Sequence, residues 1–168
     1  MPRAQKKGPE DEASNEALGR SRGGFTTKLH LVCDSHGHPL HACLSEGQRH
    51  DSQCLEELLE GCDVCGDGQD DPIWPIFLAG DKGYRAEWID EYLIEEGILP
   101  VIPSKEGEDR SARLVEFDKK KYRQRNIVER LIGWLKECRR ILTRFEKRAA
   151  NFLGMVKMAF IQRYLKMM

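Results

Sequence analysis

Residues 73–104 read as a buried strand, a helix and a second buried strand in direct succession, and that order restricts the chain to folds in which sheet and helix pack together. The apolar run IWPIFLAG ends at Asp81. DKGYRAEWIDEYLIEEG follows, with apolar residues at Trp88, Ile89, Tyr92, Leu93 and Ile94, and ILPVIPS closes on its prolines. Short apolar runs bounded by Gly or Pro suit buried strands, whereas apolar residues three and four apart suit a helix. Upstream, FTTKLHLVCD and HPLHACLSE flank the turn SHG and predict an antiparallel hairpin. SQCLEELLEG has helical spacing, and two further helices are predicted at about Arg125–Phe145 and Asn151–Met167. The fold class is therefore α/β, or α+β with one mixed sheet.

A chain of 168 residues suits one domain with a proper core. Residues 1–20 are charged and poor in large apolar side chains, so they are expected to form a flexible arm ahead of a domain over 21–168. CDVCGDGQDDP and KEGEDRSARLVEFDKKK read as exposed loops. The six cysteines lack the context of a signal peptide, which favours reduced thiols and a cytoplasmic protein. Cys62 and Cys65 form a single CxxC with no second pair to complete a zinc site, so they read as loop cysteines. No stretch approaches the ~20 apolar residues that a membrane span requires.

The near-zero net charge conceals a division. Residues 119–168 hold 15 Lys/Arg against three acids, while residues 1–118 hold 12 basic and 25 acidic residues. A basic segment on an acidic body suits a polyanionic partner, although two halves that neutralise each other inside the fold would look the same. Within the basic segment, the expected helix places Ile127, Leu131, Leu135, Cys138, Leu142 and Phe145 on one face, taking about 100° per residue. Arg125, Glu129, Lys136 and Arg140 fall on the opposite side, joined by Tyr122 if the helix extends back that far.

An Arg125–Glu129 surface pair would stabilise a helix by only about 0.2–0.5 kcal/mol, so the ridge alone could simply be a solvated face. Asp81 adds a second carboxylate just past a buried strand, where α/β sheets commonly carry their chemistry. It could equally cap the helix that follows. If the two acids converge, they could hold Mg²⁺, which accepts one or two protein carboxylates and leaves its remaining positions to water or phosphate.

Tyr122, Arg125, Glu129 and Lys136, separated by two, three and six residues, resemble the Tyr-Arg-Glu-Lys signature of DDE transposases from bacterial insertion sequences. GRSRGGFTTKLHL, GQRHDS, LAGDKGY, VIPSK and RRILTRFEKRAANFLGMVKMAF are similar to further stretches of that group in the same order, so the resemblance covers roughly residues 19–163. It implies a ribonuclease H-like mixed sheet flanked by helices, and cleavage and joining of DNA at transposon terminal repeats with Mg²⁺ or Mn²⁺. It also implies that Asp81 and Glu129 are the second and third catalytic, metal-binding acids. Tyr122, Arg125 and Lys136 would contact DNA, with Arg139 and Arg140 extending the basic face.

The family's first Asp precedes the region matching GRSRGG, and no position here matches it. Asp11 lies outside any strand pattern, Asp34 falls at the hairpin turn, and Asp51 matches the His-Asp pair after the third strand. The chain thus resembles the C-terminal portion of the catalytic domain without its first strand. That implies a downstream frame fused by frameshifting to an upstream product, or a decayed remnant, with another transposase subunit as a further candidate partner. The competing expectation is a noncatalytic DNA-binding or transposase-partner protein that uses the basic C-terminal helix.

Overall fold

The computed structural model describes residues 17–21, 24–62, 73–109, 111 and 113–167. Most of the expected arm, residues 1–16, and Cys65 of the CxxC pair lie outside them. Its last residues are not an arm, because β1 (Gly19–Ser21) pairs antiparallel with the start of β2 (Gly24–Cys33).

The predicted hairpin is present, with β2 running antiparallel to β3 (Pro39–Glu46) from Thr27↔Glu46 to Cys33↔Pro39. Asp34 builds the turn: its Oδ1 accepts from the backbone N–H of His36 and His38, both at 2.8 Å. Gly37 takes φ +85°, a region that penalises any Cβ. A turn of Asp51–Cys54 leads into α1 (Leu55–Glu60). Then come β4 (Phe77–Ala79), α2 (Glu87–Glu95) and β5 (Leu99–Val101), the last pairing parallel with β4. A helical crossover is the connection that parallel strands require.

The α/β class holds, but the expected single mixed sheet is two ladders among the described residues: a three-stranded antiparallel sheet, β1-β2-β3, and the parallel pair β4-β5. A cavity of about 810 Å³ lies between β2 and β4. β3 is buried on both faces. Ala42 packs with Leu135, Phe152 and Val156 on one side, while Cys43 meets Cys54 and Leu58 of α1 on the other. A third cluster joins Leu55 and Leu59 to Ile89, Leu93, Ile98 and Ile102, tying α1 to α2 and β5.

The long helix expected over Arg125–Phe145 is two helices, preceded by a third short one. α3 (Lys119–Arg123) is capped by Asp118, α4 spans Asn126–Glu137, and α5 (Arg139–Leu142) follows Cys138. Cys138 is extended at φ −75°, ψ 98°, and its carbonyl restarts the ladder by accepting from Ile141 and Leu142. Nothing in the local sequence explains this break. It rotates the apolar face, so Ile141 is buried while Leu142 and Phe145, expected inside, are exposed. The last helix is α6 (Ala149–Leu165), and no described helix is long and apolar enough to cross a membrane.

The segment expected as an exposed loop after β5 contains a buried anchor. Arg113 donates to both Asp90 carboxylate oxygens and to the carbonyl of Ile102. Arg85 lies on the other side of Asp90 and pairs also with Glu108. The ion network clamps α2 to the strand end that follows it.

Candidate active site

Asp81 sits one residue beyond Gly80 at the end of β4. It caps a short turn, its Oδ1 accepting from Gly83 N–H at 2.7 Å. Asp81 therefore caps this turn and not the helix that follows, whose N-cap is Ala86, and the cap consumes one oxygen. Asp81 also lines the cavity together with Lys28, Asp51, Tyr84 and Arg125.

Arg125 connects this wall to the third predicted acid. It ends the turn between α3 and α4, and its Nη2 donates to Glu129 Oε1 at 2.6 Å. Glu129, in the first turn of α4, is 60% exposed at its side chain. The Arg125 guanidinium also lies 5.6 Å from the Tyr122 ring centroid, and that ring rests on Phe117. Tyr122, Arg125 and Glu129 thus form a continuous chain of contacts even though Tyr122 belongs to α3 rather than to the helix of Glu129. Lys136 is exposed on the Glu129 face of α4, about 10 Å farther along the axis. Arg139 and Arg140 are exposed on α5, beyond the Cys138 break, with Arg140 stacked over Phe145. They continue the run of exposed basic residues past the break.

Sequence reasoning left Asp51 without a role. Its Oδ1 accepts from Lys28 Nζ at 2.7 Å, and its other oxygen faces Gly83. A Cβ on Gly83 would stand 2.4 Å from Asp51 Oδ2 and 2.9 Å from Asp81 Oδ1, so only glycine lets the two carboxylates converge there. Beneath them, Tyr84 Oη lies 2.7 Å from His30 Nδ1, and His30 Nε2 lies 2.7 Å from Ser45 Oγ. Burial, reinforced by the negative charges of Asp51 and Asp81, raises the Tyr84 pKa and keeps its hydroxyl neutral. Burial lowers the His30 pKa below its ordinary 6.5. The available signals were the His-Asp pair at 50–51 and the Lys-Gly-Tyr run after Asp81.

Asp81, which lines the cavity, and Glu129, which does not, both offer carboxylate oxygens, the donors of a hard divalent cation. Asp81 Oδ2 and Glu129 Oε2 accept no hydrogen bond from any described residue, so each acid keeps one oxygen without a protein donor. A separate group, Asp34, His36 and His38, meets at the β2–β3 turn. There, however, His38 Nδ1 already lies 2.6 Å from Asp34 Oδ2, and the turn's own hydrogen bonds hold the carboxylate.

A model of the transposase DDE domain matches residues 3–162. The chain belongs to the DDE transposase family. It is 34% identical over 131 residues to a Burkholderia cepacia protein named as a transposase for insertion sequence element IS402, covering 77% of this chain and 57% of that one. It is 28% identical over 142 residues to a Brucella ovis protein named as a transposase for insertion sequence element IS6501, covering 84% of this chain and all of that one. The transposase chain thus spans little more than half of the Burkholderia relative. No solved structure matches it significantly.

Proposed function

We propose that this chain supplies the second and third acids of a transposase catalytic core that cuts and joins DNA strands at transposon ends. The observation supporting this most directly is that Arg125, which donates to Glu129, lines the same cavity as Asp81. In this reading the fold is ribonuclease H-like without its first strand, and Asp81 and Glu129 hold Mg²⁺ or Mn²⁺ through their spare oxygens. The bound ion would supply an activated water or hydroxyl and stabilise the leaving oxygen in phosphodiester displacement. Tyr122, Arg125 and Lys136 hold phosphates beside the acids, and Arg139 and Arg140 add affinity from α5. With no residue in the place of the first Asp, the chain alone works slowly, because positioning for in-line attack is weakened.

The test is nicking of supercoiled plasmid by the purified chain with Mg²⁺ or Mn²⁺. Slow metal-dependent nicking that disappears in both Asp81→Ala and Glu129→Ala is expected. Nicking that survives either substitution removes that residue from the reaction. The exposed Lys136, Arg139 and Arg140 favour one second reading, a noncatalytic DNA-binding protein. It predicts salt-steep binding that needs no metal and no nicking under any condition.

A further inference from the structure

The β2–β3 turn carries more than its geometry requires. Asp34 and Gly37 make the turn, and the bonds that Asp34 Oδ1 accepts come from the backbone of residues 36 and 38, so they form whatever side chains stand there. Both of those side chains are nonetheless imidazoles, and both approach the second oxygen of the same carboxylate. His38 Nδ1 lies 2.6 Å from Asp34 Oδ2, and His36 Nδ1 lies 3.7 Å from it. One donor atom from each of the three residues falls within 4.8 Å of the other two. In a tetrahedral site with bonds of about 2.0–2.1 Å, donor atoms stand about 3.3 Å apart. The two contacts to Asp34 bracket that spacing, so small side-chain rotations suffice to close the three residues on one ion.

Neighbouring groups hold these donors in place. The rings of His36, His38 and Tyr164 form one stack, with centroids 5.8 Å apart at each step and interplanar angles of 27° and 21°. Tyr164 Oη donates to the carbonyl of Pro39 at 2.8 Å, and Arg163 Nε donates to that of Gly37 at 3.1 Å, so α6 grips the turn on both sides of His38. Outer contacts of this kind fix ligand orientation in metal sites. The donor chemistry differs from that of Asp81 and Glu129. Two imidazole nitrogens and one carboxylate oxygen suit a borderline ion such as Zn²⁺, whereas oxygen donors alone suit Mg²⁺ or Mn²⁺. The turn also stands apart from the acids, since Asp34 is six residues along the chain from Lys28, the partner of Asp51, or about 20 Å along a strand.

We propose that Asp34, His36 and His38 bind one Zn²⁺-class ion, with a fourth position left to water, and that the ion locks the hairpin turn against α6. The ion takes the place of the hydrogen shared between His38 Nδ1 and Asp34 Oδ2. His38 then ligates through Nδ1 as a neutral ring with its proton on Nε2, and His36 ligates through its own Nδ1. The site uses neither of the catalytic acids proposed above, so it stands even if nicking fails.

Zn²⁺ is titrated calorimetrically into the tag-free, metal-free full chain and into Cys62→Ser protein, which breaks the CxxC pair that could compete. Saturable binding of one ion is expected in Cys62→Ser protein, weaker by about ten-fold or more once His36→Gln, His38→Gln or Asp34→Asn is added. The His36 side chain is mostly exposed, and Asn at 34 can still accept the turn's backbone bonds, so these two variants should keep an unchanged circular dichroism spectrum. Ring resonances of His36 and His38 should shift on binding while those of His30 and His41 stay in place. Zn²⁺ at about 100 times its Kd should raise the midpoint of thermal unfolding by about 5 °C or more. Excess Mg²⁺ should not displace it. Binding that vanishes in Cys62→Ser protein would place the zinc in the cysteine loop and overturn the proposal. So would binding that His36→Gln and His38→Gln leave unchanged, displacement by Mg²⁺, or no saturable binding at all.

Discussion

Asp90 and Glu129 are both carboxylates held by arginine, and they occupy opposite physical settings. Asp90 is 2% exposed, takes Arg113 in a two-pronged bond and has Arg85 on its other flank. Glu129 is mostly exposed and has one arginine, donated from a single turn away. A buried carboxylate must be fully paired to be tolerated, and removing a partner leaves an uncompensated charge. An exposed pair gains little from its contact, so its partner can be exchanged for a metal or a phosphate at small cost. The comparison separates an arginine cluster that holds the fold from one available for chemistry, a distinction invisible in residue type.

Arg113→Ala should have the largest effect on that contrast, destabilising the protein by about 3–5 kcal/mol, read as a lower midpoint in urea unfolding. A loss under about 1 kcal/mol would mean the buried network is no anchor. Asp81→Ala comes next, costing about 1 kcal/mol through loss of its cap while abolishing metal-dependent nicking. A stability loss as large as that of Arg113→Ala would move Asp81 to the structural side.

A third expectation concerns pH. His30 and His41 are both held neutral, chiefly by burial, with pKa values below 6.5. The unfolded chain therefore binds more protons as pH falls below about 6.5. Their contribution is fully present above that pH and is lost progressively below it. His30→Gln should flatten this decline in a pH series of urea midpoints, and an unchanged slope would contradict it. Glu129→Ala should have the smallest effect on stability, at most about 0.5 kcal/mol, yet it should remove nicking as completely as Asp81→Ala.

The β2–β3 hairpin and the strand–helix–strand order over 73–104 were legible because alternation, turn residues and short apolar runs are local signals. The Arg125–Glu129 contact was recoverable from spacing, since i and i+4 positions on a helix fix a contact before tertiary structure is known, and Asp81 stood out at the end of a short apolar run. The break at Cys138 was not legible, as no Gly or Pro marks it, and Leu142 and Phe145 were misplaced as a result. Arg113 was lost among polar neighbours because its partner, Asp90, is distant in sequence. Asp51 was visible in its motif, but its convergence with Asp81 depends on the close approach at Gly83, which only packing reveals.

The central claim is that Asp81 and Glu129 serve one divalent-ion site. Nuclear magnetic resonance of the isotope-labelled full chain, titrated with substoichiometric Mn²⁺, tests it most directly through paramagnetic broadening. The backbone resonances of Asp81, Gly83 and Glu129 should broaden together, and Asp81→Ala should abolish the effect at Glu129. Broadening confined to the Asp34–His38 turn, with Asp81 and Glu129 left sharp, would contradict the account.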